Sequence, residues 1–496
     1  MRPPLDPTGS LDRVGAVVHT SRGPVRGLRR PFGTAFRSVP YAAPPVGARR
    51  FAAPAPHERW TSVRDATRPG PTAPQPVRGL FGRLDMSPYF GPGWRPGPDH
   101  LTVDVWCPAV LDGAPEAAPA PVMVFVHGGG FVAGSTSAPL YEGSAFARDG
   151  VVLVTVQYRL GIPGFLHLPD APDNRGLLDV LAALRWVREE IPRFGGDPGN
   201  VTLFGQSAGA VLVGGVLADP AGQGLIRRAV VQSGGGTAAF TREQARIVTV
   251  AVGRELGLRP AAATLAQVVD ERLVDVTGRL GGADLRTPDH RDPLGGLTPF
   301  SLVLERQPAD AVAAGAGRAV DLLVGSNRDE GSLYLAPLGL LPATTADDVH
   351  RTAARFHDRP DDVVAAYRSR SPDASLAQLR TAILGDGLFG DGTRRLAAAH
   401  AATSPGGTFA YRFEWCSDAL GGQLGAAHVM ELPFVFDRVD LPTLHGPDAL
   451  LGVTPPPEGL ADGVHRAWVR FAATGDPGWP HHTPGRPHVQ PLGAGG

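Results

Sequence analysis

Lysine is absent from the 496 residues, so all 47 basic side chains are arginine, and with 48 acidic residues the formal charge is −1. A chain so balanced carries no electrostatic footprint for nucleic acid or for an anionic membrane surface, and neither is expected as a partner. Cysteine occurs only at Cys107 and Cys416, too few for a secreted disulfide framework, and both thiols are expected to be reduced. No segment approaches the ~20 apolar residues of a membrane span. The opening stretch, Met1 to Ser10, has no apolar core of a signal peptide. These absences point to a soluble, cytoplasmic protein. Also missing are a Cys/His cluster with zinc spacing, a phosphate-binding loop and a dinucleotide fingerprint, so no metal and no cofactor is implied.

What is present is a serine in a strained setting. Residues 204–210 read Phe-Gly-Gln-Ser-Ala-Gly-Ala, and Gly205-x-Ser207-x-Gly209 has the form of a strand-to-helix turn that exposes a nucleophile. Asn200 to Phe204 before it is a β-rich apolar run, and Ala208 to Ala218 after it is small and apolar, as a buried helix should be. In a chain with 65 glycines such a match can arise from composition, so a second motif matters. Pro121 to Val126 is another short apolar strand and leads into His127-Gly128-Gly129-Gly130-Phe131. A glycine run there lets backbone N–H groups face an oxyanion; read alone, it could equally be a flexible loop.

The two motifs and their flanks resemble the type-B carboxylesterase family, which includes para-nitrobenzyl esterases and cholinesterases. The likeness runs nearly end to end. It covers Val39 to Gly47 with Arg50-Phe51, Val156 to Gly161 with Gly164-Phe165-Leu166 (similar to the family's next core strand), Asn174 to Asp179, Ala183 to Val187, Phe194 to Pro198, and Phe471 to Pro477 with Trp479-Pro480. The resemblance implies one α/β-hydrolase domain over residues 1–496, a mostly parallel sheet flanked by helices, with large insertions on one side.

It also implies site residues in the order serine, acid, histidine. Ser207 is the nucleophile. Val324 to Gly331 resembles the acid segment, which makes Glu330 the triad acid, with Asp329 as its rival. Gly425 to Phe436 resembles the histidine segment, which makes His428 the base, and His127 falls behind the oxyanion loop as a structural residue. The N–H groups of Gly129, Gly130 and Ala208 form the oxyanion hole. Ser233 matches a serine that supports the acid; an ordinary strand-end serine is the alternative.

Arg159 and Asp179 match a structural ion pair. The segment Pro98 to Asp104 lacks the glutamate and cysteine the family usually carries there, so Arg50 needs another partner, and Asp99 is the expected one. Ser38 stands in place of a glycine, and Gln157 and Glu190 in place of asparagines. Residues 76–98, rich in proline, glycine and aromatics, read as a loop over the site. Residues 240–300 and 335–405, interrupted by Pro260, Pro288, Pro293 and Gly385, read as cap and pocket wall. Trp94 is the one aromatic offered for a cation cage, an arrangement weighed against. The function implied is hydrolysis of small to medium neutral esters through an acyl-enzyme on Ser207, by a monomer or weak homodimer. The alternatives are a specialised acyl hydrolase or transferase of secondary metabolism and a silent binding protein.

Overall fold

The computed structural model describes residues 15–108 and 118–494. Its centre is a ten-stranded sheet. In chain order the strands are β1 (Leu28–Arg30), β2 (Gly33–Pro40), β3 (Thr102–Pro108), β4 (Ala120–Val126), β5 (Val152–Val156), β6 (Gly196–Gln206), β7 (Arg228–Gln232), β8 (Asp321–Asn327), β9 (Thr408–Phe413) and β10 (Gln490–Leu492). In space they run β10-β9-β8-β7-β6-β4-β5-β3-β2-β1. Strands from β5 to β10 pair in parallel, while β3, β2 and β1 close one edge antiparallel.

Strands buried on both faces read as continuous apolar runs, because helices must cover both sides of a parallel sheet. In β4, Val122, Val124 and Val126 enter one core, while Met123 and Phe125 enter the other. The first core is covered by helices α1 (Arg175–Glu190) and α2 (Ala208–Ala218), and the second by α7 (Leu460–Thr474), which contributes Trp468 and Phe471. Between them in sequence lie α3 (Arg242–Leu256), α4 (Ala346–Phe356), α5 (Leu376–Gly385) and α6 (Asp391–Thr403).

The block from Val156 to Gly161 is not itself a strand. The strand ends at Val156, and Gly161–Phe165 is a turn of helix. Between them Arg159, fully buried, turns to Asp179 on α1: its backbone N–H and Nε donate to Oδ2 at 3.0 and 2.9 Å, and Nη2 donates to Oδ1 at 2.7 Å. Its Nη1 donates to the Ala52 carbonyl at 2.7 Å, tying the N-terminal segment to the sheet.

Arg50 does not pair with Asp99. Its Nη1 donates to the Val268 carbonyl at 2.6 Å and its Nη2 meets Asp270. The Val268 carbonyl, three residues beyond the short helix Ala262–Leu265, and the Asp270 carboxylate converge on this cation. Asp99 is taken by Arg64 and by His57, at 3.5 Å. Ser38 adopts φ 56°, a region that favours glycine, and holds it through hydrogen bonds from its N–H to Asp104 and from Gly70 N–H to its Oγ, both at 2.6 Å.

Two insertions differ from their reading. Residues 76–98 are not simply loop: Leu80–Phe81 and Leu84–Asp85 form a small hairpin, and Ser87–Phe90 is a turn of helix with proline in its first turn. Gly385 breaks nothing. Helix α5 passes through a π-helical turn, Asp386–Gly390, directly into α6. A glycine stands at 385 because of close approach: a Cβ there would lie 2.9 Å from the Gly331 nitrogen and 3.0 Å from the Glu330 Cβ.

Candidate active site

The chain goes from β4 outward to β5 and then returns across β4 to β6, so β4 and β6 are neighbours whose following loops diverge. In open α/β sheets ligands bind at this switch point, outside the carboxyl ends of the strands. Gly205 pairs with Val126, so the register alone sets the glycine loop after β4 beside the turn after β6.

Ser207 occupies that turn at φ 57°, ψ −124°, a strained conformation for a residue with a Cβ. The turn closes because its flanking glycines leave room: a Cβ on Gly209 would lie 2.0 Å from the Val126 carbonyl oxygen. Helix α2 starts at Ala208, so its first N–H groups have no acceptor within the helix. Across the crevice Gly129 and Gly130 have φ 112° and 63°, and Gly130 is fixed by Thr298, whose Oγ1 donates to its carbonyl at 2.6 Å. Among the described residues the N–H groups of Gly129, Gly130 and Ala208 make no hydrogen bond.

The segments that follow β7, β8 and β9 bring the remaining candidates, Ser233, Glu330 and His428. His428 Nδ1 lies 2.5 Å from Glu330 Oε2, a contact between residues 98 apart in sequence. The other oxygen, Oε1, accepts from Ser233 Oγ at 2.5 Å and from the Asn327 N–H at 2.7 Å. Asp329 turns elsewhere, to Arg328 and to the Ala426 N–H at 3.0 Å, so of the two adjacent carboxylates only Glu330 faces the imidazole. Phe389, presented by the π-helical turn, stacks on the His428 ring at 4.0 Å and 11°. Val429, the next residue, is held at φ 75°, an outlier for a β-branched side chain. His127 is buried, stacks on Tyr158 at 4.6 Å, and burial lowers its pKa to about 4, so it stays neutral.

Sequence reasoning passed over a second carboxylate. Glu431 is fully buried, with Oε1 accepting from Gln232 Nε2 at 3.1 Å and Oε2 from Asn327 Nδ2 at 2.7 Å. Burial, with the charge of Glu330 adding to it, raises its pKa from 4.5 to about 7. A carboxyl group with a raised folded value favours the folded state below its unfolded value and loses that contribution as pH rises toward 7. Urea unfolding of wild type and Glu431→Gln therefore diverges with pH: wild type loses stability relative to the variant between pH 5 and pH 8. A difference that does not change over this range contradicts the assignment.

Trp94 lines a cavity of about 540 Å³ with Arg50, His100 and Asp270, and neither Ser207 nor His428 borders it. Among the described residues no three His, Cys, Asp or Glu side chains converge to hold a metal ion, and no helix is long and apolar enough to cross a membrane.

The sequence model of the Carboxylesterase family matches residues 14–491. The chain belongs to the carboxylesterase family. It is 35% identical over 468 residues to the para-nitrobenzyl esterase of Bacillus subtilis (strain 168), covering 93% of this chain and 90% of that one. It is 34% identical over 474 residues to the phenmedipham hydrolase of Pseudarthrobacter oxydans, with the same coverage of 93% and 90%. Among solved structures, a carboxylesterase of Geobacillus stearothermophilus superposes with a TM-score of 0.80 at 33% identity, over 96% of each chain. The fold is that of the α/β-hydrolases, and this carboxylesterase is a carboxylic ester hydrolase.

Proposed function

We propose that this carboxylesterase cleaves small to medium neutral esters through an acyl-enzyme on Ser207. The observation that carries the reading is the 2.5 Å contact of His428 with Glu330, with His428 also in contact with Gln206, the residue before a serine held at φ 57°. With its proton on Nδ1 facing the carboxylate, His428 keeps a lone pair on Nε2 to take the Ser207 proton as Oγ attacks the ester carbonyl. The carbonyl π electrons move onto oxygen, and the N–H groups of Gly129, Gly130 and Ala208 receive that charge; each such donor typically contributes about a hundredfold to a thousandfold. Collapse expels the alkoxide, which takes the proton from His428, and water repeats the sequence on the acyl-enzyme. Ser233 and the Asn327 N–H hold Glu330 so that its second oxygen meets the imidazole.

The preference for neutral esters follows from the walls. Phe389 and Tyr334 flank His428, with Phe81 packed against Tyr334, and the buried carboxyls of Glu330 and Glu431 disfavour an anionic acyl group. In this reading residues 76–98 cover the site from the Tyr89 side, segments 240–300 and 335–405 complete the cap and acyl wall, and the whole chain works as one domain. Two unpaired thiols, Cys107 and Cys416, fit a reducing compartment and so a cytoplasmic enzyme.

The test is a p-nitrophenyl ester series from acetate to decanoate. The expected profile is turnover of short and medium chains with decline toward decanoate. A folded protein that cleaves none of them refutes the substrate class and points to a specialised acyl hydrolase or transferase.

A further inference from the structure

Building on the assignment of His428 as the base, we infer that Gln206 is a positioning residue whose amide N–H caps the Nε2 lone pair of His428 in the free enzyme and biases the imidazole toward its neutral form.

Gln206 is the last residue of β6 and is fully buried. Its Nε2 lies 3.2 Å from His428 Nε2, across 222 residues of sequence. Its Oε1 accepts from the Tyr89 hydroxyl at 2.9 Å, which aims the amide's N–H side at the imidazole. Turning the amide over would place Oε1 at His428 and require the Tyr89 hydroxyl to change from donor to acceptor. Tyr89 sits where a Cβ on Gly128 would come within 2.1 Å of its oxygen, so it has little room to move.

A neutral imidazole with its proton on Nδ1 has one acceptor, Nε2. Among the described residues no hydrogen bond joins Ser207 Oγ to that nitrogen; Gln206 holds it instead. Two consequences follow. Protonating Nε2 would set N–H against N–H, so the cation is disfavoured until the amide moves. The Gln206 and Ser207 donors compete for one lone pair, so the nucleophile engages the base only when Gln206 yields, as apo sites that tighten on binding substrate do.

Other ionisable groups surround this pair. Glu330 faces Nδ1, and Glu431 lies one turn along the same segment, close enough to feel the His428 charge. Tyr89, Tyr334 and Tyr411 face the cluster from three other elements, and burial raises all three, so they stay neutral through the working range. The acid limb of kcat/KM therefore reports the base with Gln206 at its Nε2.

The experiment is the pH profile of kcat/KM for p-nitrophenyl butyrate with wild type, Gln206→Met and Gln206→Glu. Methionine keeps the volume and removes the donor, and the midpoint of the acid limb rises by roughly 0.4 to 1 pH unit, as one hydrogen bond's worth of bias is lost. Glutamate replaces the donor with a carboxyl group beside the imidazole, and when ionised it raises the midpoint by roughly one to three units. A purely structural Gln206 would lower rates without moving the limb. An unmoved or lowered limb in an active Gln206→Met enzyme overturns the inference, even if Gln206→Glu moves it. If Gln206→Met does not fold, as judged by circular dichroism, Tyr89→Phe takes its place: it releases the amide and moves the limb upward by a smaller amount, and an unmoved limb there overturns the inference. An inactive wild type would instead refute the function on which it rests.

Discussion

Ser207→Ala lowers kcat/KM for p-nitrophenyl butyrate by roughly a million-fold, as loss of a nucleophilic serine in such a unit does. The size follows from the site. In the proposed mechanism alanine removes the atom that takes the acyl group, and water in its place lacks the alignment that β6 and α2 impose on Ser207. Stability barely changes, because the side chain makes no hydrogen bond among the described residues and alanine tolerates the same backbone no worse than serine. The pair of readings matters: a variant that folds like wild type and retains a tenth of its activity would transfer the nucleophile to another residue.

Asp179→Ala lowers unfolding free energy by about 3–5 kcal/mol, the cost of leaving a buried charge without its partner. Arg159 has 1% and Asp179 0% of its side chain exposed, and three of the arginine's donors end on that one carboxylate. The remaining acceptors of Arg159, the Ala52 and Arg50 carbonyls, are neutral and cannot replace a charge. The double variant Arg159→Met/Asp179→Ala recovers part of the loss, since two apolar groups no longer bury a cation. Urea unfolding of the three proteins decides: a single-variant loss below about 1 kcal/mol, or a double variant worse than Asp179→Ala, contradicts the role assigned to this pair.

Much of this was legible in the sequence, and the reason is local. Strand β4, residues 201–204 of β6 and helix α2 are β-rich or apolar runs that meet glycine motifs; the bounds of β4 and α2 match the sequence reading to within a residue, while β6 begins four residues earlier, at Gly196. The Arg159–Asp179 pair was also readable, because both members lie in blocks that resemble the family. Pairings with a residue outside such blocks, or between side chains in two different blocks with no motif of their own, were not. Arg50 chose Asp270 and nearby carbonyls over Asp99, since a guanidinium settles where several acceptors converge and the sequence does not show which turn supplies them. Gly385 read as a breaker, yet its small size serves a contact with Gly331. Gln206, Glu431, the Asn327 side chain and Phe389 went unassigned because each meets a partner far along the chain. The placement of Phe389 on His428 also depends on one π-helical turn.

The proposed mechanism holds the acyl group on the Ser207 Oγ. It is tested most directly by mixing the enzyme with diethyl p-nitrophenyl phosphate, quantifying released p-nitrophenol, and locating the modification by mass spectrometry of the digested protein. The expected result is one equivalent released, complete loss of activity, and a diethylphosphoryl group on the peptide containing Ser207. Full inactivation with the label on any other residue, or no label on a protein that still hydrolyses p-nitrophenyl butyrate, would contradict it.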